Sequence, residues 1–258
     1  MIMALIALTL FSAALAIGLT GYGFGLVAMG ILPYVLTVAE SNAIVAVLGL
    51  AVVIAAVVPL RKAIEWRLVV PLIAGAAAGV PVGVFYLVRL DERVLRISLG
   101  VVILFALAVS LWTSHRARQA TRPGRAAAGA RPEPQDEPWR TRLVAAVVGL
   151  ASGALGGAFS VGGPPVVLFL NAKLTSKRAV KASLIAYFTF VIALRLPILA
   201  ASGVLTGPLL LRSVLLAPAV AAGLILGTVL HNRLSSEAVR RVIQVLLAVS
   251  AVMMIVGA

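Results

Sequence analysis

The chain has 258 residues, 62% hydrophobic and 12% charged, with 22 Lys and Arg against 8 Asp and Glu and a formal charge of +14. Soluble domains are about half apolar and a quarter charged, so a water-soluble fold is excluded. The lack of cysteine removes disulfides and thiolate metal sites, and the basic residues sit in short breaks between apolar runs, which reads as topology signals and anionic-lipid contacts rather than nucleic-acid binding.

The first element is the apolar stretch 2–36. Its start lacks the positive n-region of a signal peptide and stays apolar past Gly25, so it reads as a retained membrane segment. It is too long for one straight crossing and is broken by Gly21-Tyr22-Gly23-Phe24-Gly25. Apolar runs follow at 43–60, 68–88 and 94–113, each near the roughly 20 residues that span a bilayer. Segment 114–141 mixes Arg, Pro, Gly and acids and reads as a flexible linker that cannot enter hydrocarbon. A second broken stretch, 143–171, is interrupted between Gly156 and Pro165, and runs at 182–202, 213–230 and 238–257 complete the chain. Each broken stretch predicts a helix, a non-helical break and a short second helix, starting at about Leu26 and at Pro165.

The two sides of the linker look duplicated. Gly18-x-x-Gly21-x-x-Phe24 matches Gly153-x-x-Gly156-x-x-Phe159, and Gly79-x-x-x-Gly83 with Leu90 and Arg96 matches Gly223-x-x-x-Gly227 with Leu234 and Arg240. Charge counting then orients the copies. If both broken stretches cross the membrane once, the loops split 11 to 10 in Lys and Arg, which shows no inside bias. If each dips in and returns, the split becomes 17 inside to 4 outside, as the positive-inside rule requires. That arrangement gives three spans per half, both termini outside, and a second copy inverted relative to the first. The expected fold is therefore an all-α integral membrane protein of two inverted repeats, 1–113 and 142–258. Each repeat is a Gly-broken re-entrant or discontinuous hairpin plus three transmembrane helices, an arrangement recurrent in secondary transporters. The expected location is a bacterial-type inner membrane, with linker 114–141 cytoplasmic.

All eight carboxylates, Glu40, Glu65, Asp91, Glu92, Glu133, Asp136, Glu137 and Glu237, fall in loops or at span ends, so neither an intramembrane carboxylate relay nor a carboxylate cation site is expected. The two histidines, His115 and His231, lie beside charged loop residues, and no metal or cofactor is expected. One ionisable residue, Arg195, sits within a span, where a charge costs about 2.5–3.5 kcal/mol at the helix centre and is usually functional. Snorkelling to the outer end is the alternative reading. Backbone carbonyls or an anionic substrate are its expected partners.

The helix starts after the two breaks add the same polarity, because they expose free N–H groups and the positive end of the helix dipole. Inverted repeats would bring both starts to the midplane. The expected substrate-binding set is Tyr22, Gly23, Phe24, Gly25, Asn42, Ser160, Val161, Gly162, Gly163, Pro164, Ser183, Tyr187 and Arg195. Taken singly, Tyr22, Asn42, Ser160, Ser183, Tyr187 and Thr189 each read as a helix cap or an interhelical hydrogen bond, with Ser160 favoured as a ligand because it lies inside the break. Gly79-x-x-x-Gly83 and Gly223-x-x-x-Gly227 are read as helix-packing surfaces. Two look-alikes are set aside. Gly21-x-Gly23-x-Gly25 lacks the strand-helix-strand context of a dinucleotide loop, and Gly149-Leu150-Ala151-Ser152-Gly153 lacks the base a serine nucleophile needs, so no enzyme is expected.

With Gly18 to Gly25, Gly153 to Val167, Ala182-Ser183-Leu184-Ile185-Ala186-Tyr187-Phe188 and Arg195-Leu196-Pro197 in view, the chain resembles the TauE/SafE family of sulfite and organosulfonate exporters over nearly its whole length outside the linker. The Thr-Ser pair associated with the second segment of each half reads Asn42-Ala43 and Ala182-Ser183 here. The resemblance implies export of a small anion (sulfite, an organosulfonate or a related organic acid) in a lipid environment by alternating access. Uptake of an organic anion, an anion channel and a structural membrane protein are the alternatives, and a homo-oligomer is left open.

Overall fold

The computed structural model describes residues 2–20, 23–120, 138–230 and 236–256, and every regular element among them is a helix. In chain order they are α1 (Ile2–Thr20), α2 (Phe24–Ile31), α3 (Val38–Val57), α4 (Trp66–Arg89), α5 (Glu92–Ala120), α6 (Pro138–Phe159), α7 (Gly163–Lys173), α8 (Lys177–Ala201), α9 (Gly207–Leu230) and α10 (Ser236–Val256). Short 3-10 turns fill Leu32–Tyr34 and Val58–Ala63. Among the described residues, α1, α3, α4, α5, α6, α8 and α9 are long and apolar enough to cross a bilayer, and α10 is apolar over Leu247–Val256. Phe85, Leu211, Leu215, Ile225 and Val229 are each more than 60% exposed, which lipid tolerates and water does not. The chain is a multi-pass membrane protein.

Both broken stretches are a helix, a break and a shorter helix. The first limbs, α1 and α6, have 19 and 22 residues, and at about 1.5 Å per residue each matches a hydrocarbon core of about 30 Å. The second limbs have 8 and 11 residues and reach only part of that depth. They begin at Phe24 and Gly163, two residues before the positions expected at Leu26 and Pro165. Gly23 already completes the first turn, and Pro164 and Pro165 have the fixed φ that suits a helix's opening turn. The ends of segment 114–141 are helical as well, since α5 continues to Ala120 and α6 starts at Pro138.

Glycine makes the most intimate packing. A Cβ on Gly75, Gly79 or Gly83 of α4 would collide with the backbone of α6 at Ala146, Leu150 and Ala154, and one on Gly223 or Gly227 of α9 would collide with α1 at Phe11 and Leu15. The glycine pairs read as packing surfaces serve that role. In both pairs the residue numbers rise together, so α4 runs parallel to α6 and α1 parallel to α9. Ala146 and Leu150 lie 135 positions after Phe11 and Leu15. Packing therefore equates Gly75-x-x-x-Gly79 with Gly223-x-x-x-Gly227, one turn earlier than the sequence match from Gly79. Glycines spaced by four form one continuous stripe, along which a single-turn slip leaves the pattern unchanged.

Two further helix pairs that pack across the halves run opposite ways. In α5 and α10, Gly100 meets Ile255 while Gln244 Nε2 donates to Ser110 Oγ at 2.9 Å, so one numbering rises as the other falls. In α3 and α8, Gly49 meets Ile192 while the Glu65 N–H just beyond α3 donates to Ser183 Oγ at 3.1 Å. Carboxylates at helix ends serve as caps. Glu40 and Thr37 form a reciprocal capping box at the start of α3, and Glu92 accepts from Val38 N–H and from Arg96 Nε.

Candidate functional site

The two breaks touch. A Cβ on Gly25 would strike the Ser160 carbonyl, so the start of α2 reaches the α6–α7 break only because residue 25 is glycine. Gly23, at φ 99°, turns the chain from α1 into α2. Ser160 makes the corresponding turn at φ 58°, a left-handed conformation that costs an L residue about 1–2 kcal/mol.

Side chains from other helices hold that second turn. Ser160 Oγ donates to Asn42 Oδ1 at 2.7 Å, and Asn42 Nδ2 donates to the Gly157 and Ala158 carbonyls at 2.8 and 2.7 Å. The last carbonyls of a helix have no partner within it, and Asn42, fully buried on α3, supplies one for two of them. Gly156 O accepts from Ser160 N–H at 2.9 Å and from Arg195 Nη1 of α8. A cation there also meets the negative end of the α6 dipole. Nearby, Tyr187 OH donates to Ser152 Oγ at 2.9 Å, and Ser152 Oγ donates to the Gly162 carbonyl.

A cavity of about 170 Å³ lies against the breaks. Its walls are mostly apolar, with Val45, Leu107, Phe188 and Ile192 among them. The polar side chains are Ser152, Ser160, Tyr187 and Arg195 on α6, α8 and the second break, and Ser110 and Gln244 on α5 and α10. Arg195 is 2% exposed, and its Nε has no hydrogen-bond partner among the described residues. Among the described residues no other charged residue lines the cavity. A buried charge without a counter-ion is strongly unfavourable, and one carbonyl satisfies only part of a five-donor guanidinium.

Neither α2 nor α7 has a side-chain cap. The opening turn of α2 carries the N–H groups of Phe24, Gly25 and Leu26, whereas that of α7 carries only Gly163 N–H, because Pro164 and Pro165 have none. With Arg195 these two helix starts give a mostly apolar cavity an electropositive side.

Of the residues expected to bind substrate, Gly23, Phe24, Gly25, Ser160, Val161, Gly162, Gly163, Pro164, Tyr187 and Arg195 all line this cavity. Tyr22 lies outside the described residues. Asn42 stands behind the wall and spends its amide on the break. Ser183 is turned to Glu65 N–H, and Thr189 Oγ1 bonds its own helix at Ile185 O. Ser152 and Gln244 line the cavity without having been singled out as ligands. Ser152 lies one turn before Gly156 on the same face of α6, a signal hidden by its likeness to a nucleophile motif. Among the described residues no His, Cys, Asp or Glu cluster is arranged to hold a metal.

No curated protein and no solved structure matches the chain. The family model described as Sulfite exporter TauE/SafE matches residues 5–254 of the 258. Members of that family are transporters, and membership implies a membrane exporter of sulfite or a related anion. The chain belongs to the sulfite exporter TauE/SafE family.

Proposed function

We propose that the protein exports a small anion (sulfite, an organosulfonate or a related organic acid) by alternating access, with the anion held between the α2 and α7 starts and Arg195. The observation that carries this reading is Arg195, a buried guanidinium whose Nε is unpaired, on the wall of a cavity bordered by two uncapped helix starts. An anion would supply the missing counter-charge and accept from these donors together. The apolar remainder of the cavity would exclude water and strengthen each of those bonds.

An inverted repeat fits the packing. The antiparallel α3–α8 and α5–α10 pairs, beside the parallel α4–α6 and α1–α9 pairs, are what two oppositely oriented copies produce. Second limbs of 8 and 11 residues, too short to span, support a re-entrant reading, with a cytoplasmic linker and outside termini under the positive-inside rule, in a bacterial-type inner membrane. An interior negative by 100 mV favours the exit of one negative charge by about 2.3 kcal/mol, so export would proceed without an intramembrane carboxylate to couple it.

The test is the thermal midpoint of the detergent-purified protein with sulfite, sulfate, thiosulfate, isethionate, sulfoacetate, acetate and chloride, with Arg195→Ala alongside. An anion present at 100 times its Kd stabilises the native state by about 2.7 kcal/mol. We expect at least one sulfur oxyanion to raise the midpoint of the native protein and leave that of Arg195→Ala unmoved. Equal responses would make Arg195 purely a cap for α6. No response to any anion would turn attention to a channel or a structural role.

A further inference from the structure

We infer that Ser152 is a positioning residue: by holding the Gly162 carbonyl, it aims the one backbone N–H with which α7 can meet an anion. The inference rests on the anion-site reading above. It begins from peptide geometry. A peptide unit is planar and trans, so its C=O and N–H point in opposite directions. The carbonyl of the unit joining Gly162 and Gly163 is the N-cap carbonyl of α7, which takes that helix's first intrahelical bond, and Ser152 Oγ holds it from the α6 side. The unit's N–H, the Gly163 amide, is therefore directed away from α6, and Gly163 is a cavity-lining residue.

This amide matters more than an ordinary first-turn amide. Pro164 and Pro165 follow it and donate nothing, so Gly163 is the only donor α7 offers before Val166. It has no acceptor among the described residues. If the peptide rotated, α7 would lose its single directed donor and retain only its dipole.

The hold on the carbonyl is itself secured. Ser152 is fully buried, and its hydroxyl is oriented by accepting from Tyr187 OH at 2.9 Å. With that donor occupying one side, the Ser152 hydrogen is left for Gly162. Close approach locks the pair, since a Cβ on Gly162 would meet the Ser152 carbonyl and would stand 3.0 Å from its hydroxyl. Gly162 is thus the residue that lets α6 come near enough for Ser152 to reach. The Gly149-to-Gly153 segment resembles a nucleophile motif, but its serine serves here as a hydrogen-bond donor to backbone.

The chain contains only two Gly-Gly peptides, Gly156–Gly157 and Gly162–Gly163. Protein labelled with carbonyl-13C and 15N glycine therefore gives two carbonyl–amide correlation peaks, of which the Gly157 peak serves as an internal reference. In the native protein, titration with sulfite and with isethionate is expected to shift the Gly163 amide. In Ser152→Ala the anion-free Gly163 peak should move and the apparent Kd should rise about tenfold, as expected for a misdirected hydrogen bond to a charged group. Ser152→Thr, which keeps the hydroxyl, should restore affinity. Tyr187→Phe, which removes the donor that orients the Ser152 hydroxyl toward Gly162, should shift the Gly163 peak and weaken binding by less.

A lower melting midpoint of Ser152→Ala with unchanged affinity would overturn the inference and leave the anion site standing. If Ser152→Ala does not fold, Tyr187→Phe decides, because an unmoved Gly163 peak and an unchanged Kd in that variant would also overturn it. A native Gly163 amide indifferent to both anions would overturn the anion reading itself and this inference with it.

Discussion

The two breaks perform the same turn with different chemistry. In the first, among the described residues, glycine makes the turn: Gly23 takes φ 99° with nothing within 4 Å of where its Cβ would be, and Gly25 brings bare backbone to the partner break. In the second, a serine is held at φ 58°, and α3, α6 and α8 supply Asn42, Ser152, Tyr187 and Arg195 to secure its peptides. Positions 182 and 183, matched in sequence to Asn42 and Ala43, are Ala and Ser, and Ser183 is committed to Glu65. The bracing is therefore not mirrored. Under the proposed anion site this would divide the labour, with amide donors on the α2 side and a charged, braced scaffold on the α7 side.

The largest break in that comparison should come from Asn42→Ala. It leaves the Gly157 and Ala158 carbonyls and Ser160 Oγ without their partner in a buried site, and an unsatisfied buried polar group costs about 1–3 kcal/mol. We expect a loss of about 3 kcal/mol, read from reversible unfolding in mixed micelles. Asn42→Asp, which keeps an acceptor for Ser160 but no donors for α6, should recover only part. A near-neutral Asn42→Ala would mean that the second break stands on its own backbone, as the first does.

Gly25→Ala should come next, because it pushes a methyl into the Ser160 carbonyl where the breaks touch. Overpacking of this kind costs about 1–3 kcal/mol, and here the neighbour is backbone that cannot rotate away. Thermal midpoint and anion response should fall together in this variant. Retention of both would show that the α2 start can withdraw from Ser160 without loss, and that the two breaks need not be in contact.

The breaks themselves were legible because their residues cannot continue a helix in hydrocarbon: repeated Gly in one, Gly-Gly-Pro-Pro in the other. Gly23, Ser160 and Arg195 line one cavity, as the expectation of opposed copies meeting at depth would have it. What sequence could not supply were partners far apart in the chain. The contacts of Asn42 with Ala158 and of Ser183 with Glu65 span more than 100 residues and depend on how α3 and α8 lie against the other half. Sequence alone also left the glycine register ambiguous, because Gly75, Gly79 and Gly83 recur every fourth residue and look the same from either turn. Ser152 was passed over for a different reason. Its role depends on a carbonyl ten residues later that returns to the same helix only because the chain reverses at Ser160.

The smallest effect is expected from Ser160→Gly, and it separates the two designs most finely. Glycine would enter the left-handed turn freely and relieve about 1–2 kcal/mol of strain. It would also remove the 2.7 Å bond to Asn42 Oδ1, a net contribution of about 0.5–1.5 kcal/mol, and add chain entropy to the unfolded state. These terms nearly cancel, so stability should change by less than about 1 kcal/mol. Ser160→Ala keeps the strain and loses the bond, and should be the worse of the two. Anion affinity decides what the serine is for. If Ser160→Gly is as stable as the native protein but binds sulfite more weakly, the hydroxyl or the rigidity it gives the break contributes to the site; if affinity is unchanged, a glycine break would have served both halves equally.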